Sequence, residues 1–148
     1  MSNTPLAFAK IYEMDELYFT RISCMIRHEF QTHRSQYQPS DALDLFVADM
    51  SKWGWDGGAE MPIDMFRYCG RPYAGSVFLQ CIKKVKVFLE NCGDGLPSEY
   101  LIVVFPNKAE LVAQNYSARK FIYWLDQIIG LIENYQSAPI QVTLPYPP

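Results

Sequence analysis

Residues 117–135, SARKFIYWLDQIIGLIENY, decide the fold class. Phe121, Trp124, Leu125, Ile128, Leu131, Ile132 and Tyr135 recur at steps of three and four. That spacing stacks side chains on one face of a helix, because an α-helix turns once in about 3.6 residues. Ile122 and Ile129 widen the apolar arc beyond a single stripe. A helix with so broad an arc is covered on more than one side, so it is expected to be the central one. Ser117 stands where an N-cap hydroxyl would accept from a first-turn amide.

The same period extends upstream. Phe78, Cys81, Ile82, Val85, Phe88, Leu89 and Cys92 share one face, while Lys83, Lys84, Lys86 and Glu90 take the rest. Gly93 and the DGLP that follows end that helix. Residues 15–33 carry a stripe of Phe19, Ile22, Ile26 and Phe30, closed by Gln38 and Pro39. Ser40 then caps a second helix with Leu43, Phe46, Val47, Met50 and Trp53 inward and Asp41, Asp44, Asp49 and Lys52 outward; Gly54 stops it. A loop through Gly57, Gly58 and Pro62 leads to a short helix over 63–69.

Asn107, with Glu110 three residues on, reads as a capping pair that opens a helix through about residue 116. Residues 101–105, LIVVF, lie between Pro97 and Pro106 and are rich in β-branched side chains. They read as a buried strand, with a short buried helix as the alternative. The proline-rich tail from about residue 138, APIQVTLPYPP, is extended and would either pair beside LIVVF or lie on the surface. The expectation is a mainly α, single compact domain over residues 1–148, with five or six helices. A small two-stranded β element would be formed by 101–105 and the tail.

A chain of 148 residues suits one domain with a real core, and 49% apolar with 20% charged residues is an ordinary globular balance. The net charge of −3 lacks the basic footprint that nucleic-acid binding needs. Lys83, Lys84 and Lys86, with Arg67 and Arg71 upstream, form the one basic cluster and read as the solvated side of a helix. Four cysteines form no CxxC pair, and Cys81 and Cys92 are separated by roughly 16 Å of helix rise, too far to bridge. Three of the four sit among apolar neighbours and read as small core residues in a reducing compartment. The N-terminal sequence lacks a basic segment followed by an apolar one, and the near-apolar run over 121–132 is too short to span a bilayer. A cytoplasmic protein without membrane contact is expected.

Candidate function concentrates in residues 40–66, SDALDLFVADMSKWGWDGGAEMPIDMF, where six carboxylates face one cation, Lys52, and two tryptophans flank a glycine. Acidic charge beside large aromatics suits a surface that binds a basic partner, the charges steering and the rings anchoring. Asp44, Asp49, Trp55, Asp56, Glu60, Asp64 and Tyr68 are the expected partner-binding residues. Trp55 and Tyr68 are the anchors among them, whereas Trp53 belongs to the buried face of its helix. In general character such a chain resembles the bacterial immunity proteins that neutralise basic toxins by occlusion. The likeness is one of size, charge and missing active site, and no diagnostic motif carries it. It implies a non-enzymatic inhibitor whose carboxylates meet lysines and arginines of a toxin.

Residues 28–33, HEFQTH, suggest a rival, a metal-dependent hydrolase using His28, Glu29 and His33. In the zinc motif HExxH two residues separate Glu from the second His; here there are three. On a straight helix that sets the two imidazoles about 140° apart instead of about 40°. A zinc peptidase family with a six-residue HExxxH motif exists, but its other elements are missing here. The expected arrangement is one core-edge histidine, His33, and one surface histidine, His28. No GxSxG elbow is present, and neither Gly93-Asp94-Gly95 nor the glycines at 54–58 have the lysine of a phosphate cradle. No catalytic residue, metal or cofactor is assigned. A third reading is a structural subunit whose broad last helix packs on a second copy, so a homo-oligomer is an alternative.

Overall fold

The computed structural model describes residues 3–6, 12–38, 41–52, 68–69, 75–134 and 142–143. Among them run β1 (Asn3–Leu6), β2 (Tyr12–Asp15), α1 (Glu16–Thr32), a 3-10 turn (Arg34–Gln36), α2 (Asp41–Lys52), α3 (Val77–Glu90), α4 (Ser98–Val104), α5 (Ala109–Asn115), α6 (Ala118–Asn134) and β3 (Val142–Thr143). The fold is mainly α, with six α-helices among the described residues sharing one hydrophobic core.

The pairing of α3 with α6 is the most extensive among the described elements. Phe121, Trp124, Leu125, Ile128 and Ile132 of α6 are buried, as are Phe78, Leu79, Cys81, Ile82, Val85 and Leu89 of α3. Each such aliphatic or aromatic side chain contributes about 1.5–3 kcal/mol by leaving water, so this seam dominates the stability of the fold. Two ion pairs lace its wet edge, Lys83 to Glu133 at 3.4 Å and Lys86 to Asp126 at 2.6 Å. The lysine cluster is thus partly turned to its own domain. Ser117 caps its helix as the sequence suggests, and Ser76, not singled out in the sequence, does the same for α3. Ser76 Oγ accepts from the Leu79 amide, and Ser117 Oγ accepts from that of Lys120.

Helix α1 lays Ile22, Met25, Ile26 and Phe30 into the core and meets α3, where the Cys81 thiol donates to the Ile26 carbonyl at 3.5 Å. Tyr18 packs edge-on to Tyr116 and Phe121 and also contacts Trp124, which ties the start of α1 to α6. Helix α2 is fastened by a ring cluster in which Phe46 stands 5.1 Å from Tyr68 and 5.3 Å from Phe78. None of the four cysteines is in a disulfide; Cys24, Cys69 and Cys81 are buried and Cys92 is half-buried.

Three expectations are corrected. Residues 101–105 are not a strand: α4 runs through them, burying Leu101 and Val104 while Ile102 and Val103 stand 64% and 63% exposed. The inward residues are three apart, which is helical spacing, and the β preference of Ile and Val yields to it. Asn107 does not cap a helix. It adopts a left-handed φ of 67°, a conformation asparagine tolerates, and α5 begins after Lys108 with no side-chain cap. The described part of the tail, Val142 and Thr143, pairs elsewhere than with residues 101–105. β3 lies parallel to β2, with Tyr12 opposite Val142, and β2 is also antiparallel to β1, giving a three-stranded order β1-β2-β3. No helix among the described residues is long and apolar enough to cross a membrane.

Candidate functional site

The acidic face begins on α2. Its buried stripe of Leu43, Phe46 and Met50 sets the helix's rotation, and that rotation turns Asp44 outward. Asp44 is half exposed and pairs with Arg34, whose guanidinium Nη2 reaches its Oδ1 at 2.5 Å from the 3-10 turn. Asp49, about 1.4 turns further on, is half-buried and accepts from the Tyr68 hydroxyl at 2.7 Å. Tyr68 is only 4% exposed, its ring packed between Phe46 and Phe78. Tyr68 is therefore corrected from surface anchor to core residue, and its role is to hold Asp49 from beneath. Trp55, Asp56, Glu60 and Asp64 lie outside the described residues, as do Trp53, Gly54 and the expected cap Ser40.

A second constellation gathers at the C-terminal end of α1. His28, Glu29 and His33 line a pocket of about 80 Å³ with Val85 and Phe88 of α3 and Tyr100 of α4. Glu29 and His33 are four apart, so they meet on one side of the helix; His33 Nδ1 donates to Glu29 Oε2 at 2.9 Å. The Tyr37 hydroxyl, carried back by the 3-10 turn, donates to the same oxygen at 2.9 Å. The Glu29 side chain is only 15% exposed, so this carboxylate sits at the wall of the pocket with both donors on one oxygen. Among the described residues none donates to Oε1.

The walls are aromatic. Phe88 and Tyr100 stack tilted with centroids 4.4 Å apart, and the His28 ring meets Tyr100 edge-on at 5.4 Å. Burial lowers the His28 pKa, which favours the neutral imidazole. Burial, with the Cys81 and Glu29 charges behind it, raises the Tyr37 phenol well above its ordinary value. Burial likewise pushes the Cys81 thiol up to about 12, aided by the Glu29 charge. A thiol held protonated and fully enclosed is no nucleophile at neutral pH.

The expected division between the histidines holds only in part: both are half-buried and line the pocket, so His28 is not a surface residue. His28 packs against Tyr100, and His33 stands at the rim with its side chain 44% exposed. The helix ends at Thr32, and His33, with φ −116° and ψ 30°, leaves the helical path to line the same pocket as His28. Even so, Glu29 occupies His33 Nδ1, and among the described residues no three His, Cys, Asp or Glu side chains are grouped so that they could hold a metal ion. Sequence reasoning missed Tyr37, Phe88 and Tyr100 as members of this site. The Glu29–His33 spacing was visible, but no local pattern brings α3 and α4 to it.

Elsewhere, the broad arc of α6 proposed for self-association is used inside the domain. Among the described residues the exposed aliphatics are instead Ile102 and Val103 of α4, Leu111 of α5 and Val87 of α3. No family model, no curated protein and no solved structure matches this chain.

Proposed function

We propose that this protein is a non-enzymatic protein-binding module, an acidic inhibitor of the immunity type that neutralises a basic partner by occlusion. The observation that carries the reading is the charge of residues 40–66, six carboxylates against one lysine, together with Asp49 fixed on α2 by a buried tyrosine. A carboxylate held in one orientation loses little side-chain entropy on meeting a lysine or arginine, so its charge is available for recognition at low cost. Asp44 already spends part of its charge on Arg34, so Asp49 and the carboxylates at 56, 60 and 64 carry most of the attraction. Charged rims of this kind act mainly on the association rate and are weakened by salt.

The test is capture from source-cell lysate with the wild-type chain and with the charge reversal Asp49→Lys, Asp56→Lys, Glu60→Lys, each eluted with rising salt. The expected outcome is a basic protein recovered near one-to-one by the wild type, released by salt and lost by a reversal variant whose circular dichroism is unchanged. A partner that binds the folded reversal variant as well as the wild type would remove the acidic surface from the account.

A further inference from the structure

We propose that the pocket beside Glu29 is a binding site for a small organic cation, an alkylammonium or guanidinium group. The Glu29 carboxylate would hold it, and Tyr100 and Phe88 would wall it. This site lies apart from the acidic face of α2, and the inference does not rest on the inhibitor reading.

Size restricts the occupant first. A cavity of about 80 Å³ corresponds to the liquid volume of about two or three waters. An apolar cavity of about 150 Å³ is what accommodates benzene, so the enclosed part of this pocket suits a smaller group than an aromatic ring. A guanidinium or a short alkylammonium head is of the right order.

Charge restricts it further. Among the described residues, the polar groups on the pocket are the Glu29 carboxylate, the His28 ring, which burial holds toward its neutral form, the His33 ring and the Tyr100 phenol. Glu29 is mostly enclosed, and its two donors among the described residues, His33 and Tyr37, both use Oε2. That leaves Oε1 to accept a charge-assisted bond, about twice as strong as a neutral one. An anion would meet a carboxylate in a confined space. A neutral ligand would displace water from that carboxylate without replacing its charge compensation. A cation satisfies Oε1, and its carbon-bound portion lies against aromatic rings, which attract positive charge. His33, at the rim, leaves the pocket reachable from solvent. The cation can come from a free amine or guanidine, or from the tip of an arginine or lysine on another protein.

Methylguanidinium, N-methylurea and Nα-acetyl-arginine methylamide are the probes, each titrated into the full chain while the His28 and Tyr100 ring resonances are followed by NMR. The expected result is a saturable shift with methylguanidinium, with Kd on the order of 1 mM for so small a ligand. N-methylurea, nearly the same shape without the charge, should bind at least about tenfold more weakly, as should methylguanidinium on Glu29→Gln. The comparison of the two probes on the wild-type chain stands even if that variant fails to fold. Tighter binding of the arginine derivative than of methylguanidinium assigns the site to a protein side chain; binding of methylguanidinium alone assigns it to a free small cation. Equal shifts with methylurea and methylguanidinium, no shift with either cationic probe, or undiminished binding by folded Glu29→Gln would overturn the proposal.

Discussion

Replacing Tyr37 with phenylalanine removes one oxygen from the edge of the core and leaves the ring in place. That oxygen donates to Glu29 Oε2 at 2.9 Å, beside the bond from His33 to the same atom. A hydrogen bond to a charged acceptor contributes about 1.5–3 kcal/mol net. Two features reduce the loss here. Glu29 keeps its His33 donor, and its side chain retains 15% exposure through which water can replace the phenol. The ring's packing against Phe30, with centroids 6.0 Å apart, is unchanged by the substitution. The expected cost is therefore about 1–2 kcal/mol. In a domain of this length that corresponds to a fall in Tm of roughly 2–8 °C. Urea denaturation at pH 7 should show a lower midpoint with an unchanged slope, since the surface exposed on unfolding is the same. A double-mutant cycle with Glu29→Gln isolates the pair, with an expected coupling of about 1 kcal/mol. A Tyr37→Phe change within about 0.3 kcal/mol of wild type, or a cycle with no coupling, would refute the role given to this phenol.

Alkaline pH should destabilise the fold early. Burial keeps the Cys81 thiol protonated up to about 12 in the folded chain, whereas the unfolded thiol releases its proton near its ordinary value of 9.0. The native state then holds the extra proton. Stability is intact below about pH 9 and falls between about pH 9 and 12, by up to about 1.4 kcal/mol per pH unit from this group. Urea midpoints from pH 8 to 10.5 should decline more gently in Cys81→Ala, and parallel declines would show that the thiol is not responsible. Val103→Lys, on the exposed side of α4, should change stability by no more than about 0.5 kcal/mol by the same assay. Unfolding of that variant would mean that residue 103 is buried, as a core strand would require.

The helices were legible because each of their buried faces repeats at steps of three and four, and periodicity survives whatever the tertiary partners are. Residues 101–105 were misread because three β-branched side chains in a row between prolines mimic a buried strand. The contrary signal was present in Pro97-Ser98-Glu99, a proline followed by polar and acidic residues suited to a first helical turn. Strands β1 and β2 went unread, since NTPL and YEMD have too few residues to show alternation. At the candidate sites, the sequence displayed charges and spacings but not burial. Nothing in the local sequence separates Tyr68, enclosed by Phe46 and Phe78, from a tyrosine on the surface. Nor does it reveal that Tyr100, far along the chain, closes a pocket over Glu29.

The α3–α6 seam has a consequence for the order in which the molecule can be built during translation. Helices α1 and α2 are synthesised first, yet their buried residues, from Ile22 to Met50, pack into a core completed by α3 and α6. Residue 52 ends α2 and residue 134 ends α6. At about 5–20 residues per second, the ribosome needs roughly 4–16 s to cover that distance. For that interval the apolar stripes of α1 and α2 are outside the tunnel without their cover. Until α3 and α6 follow, those stripes have only each other to pack against, so the core closes late in synthesis.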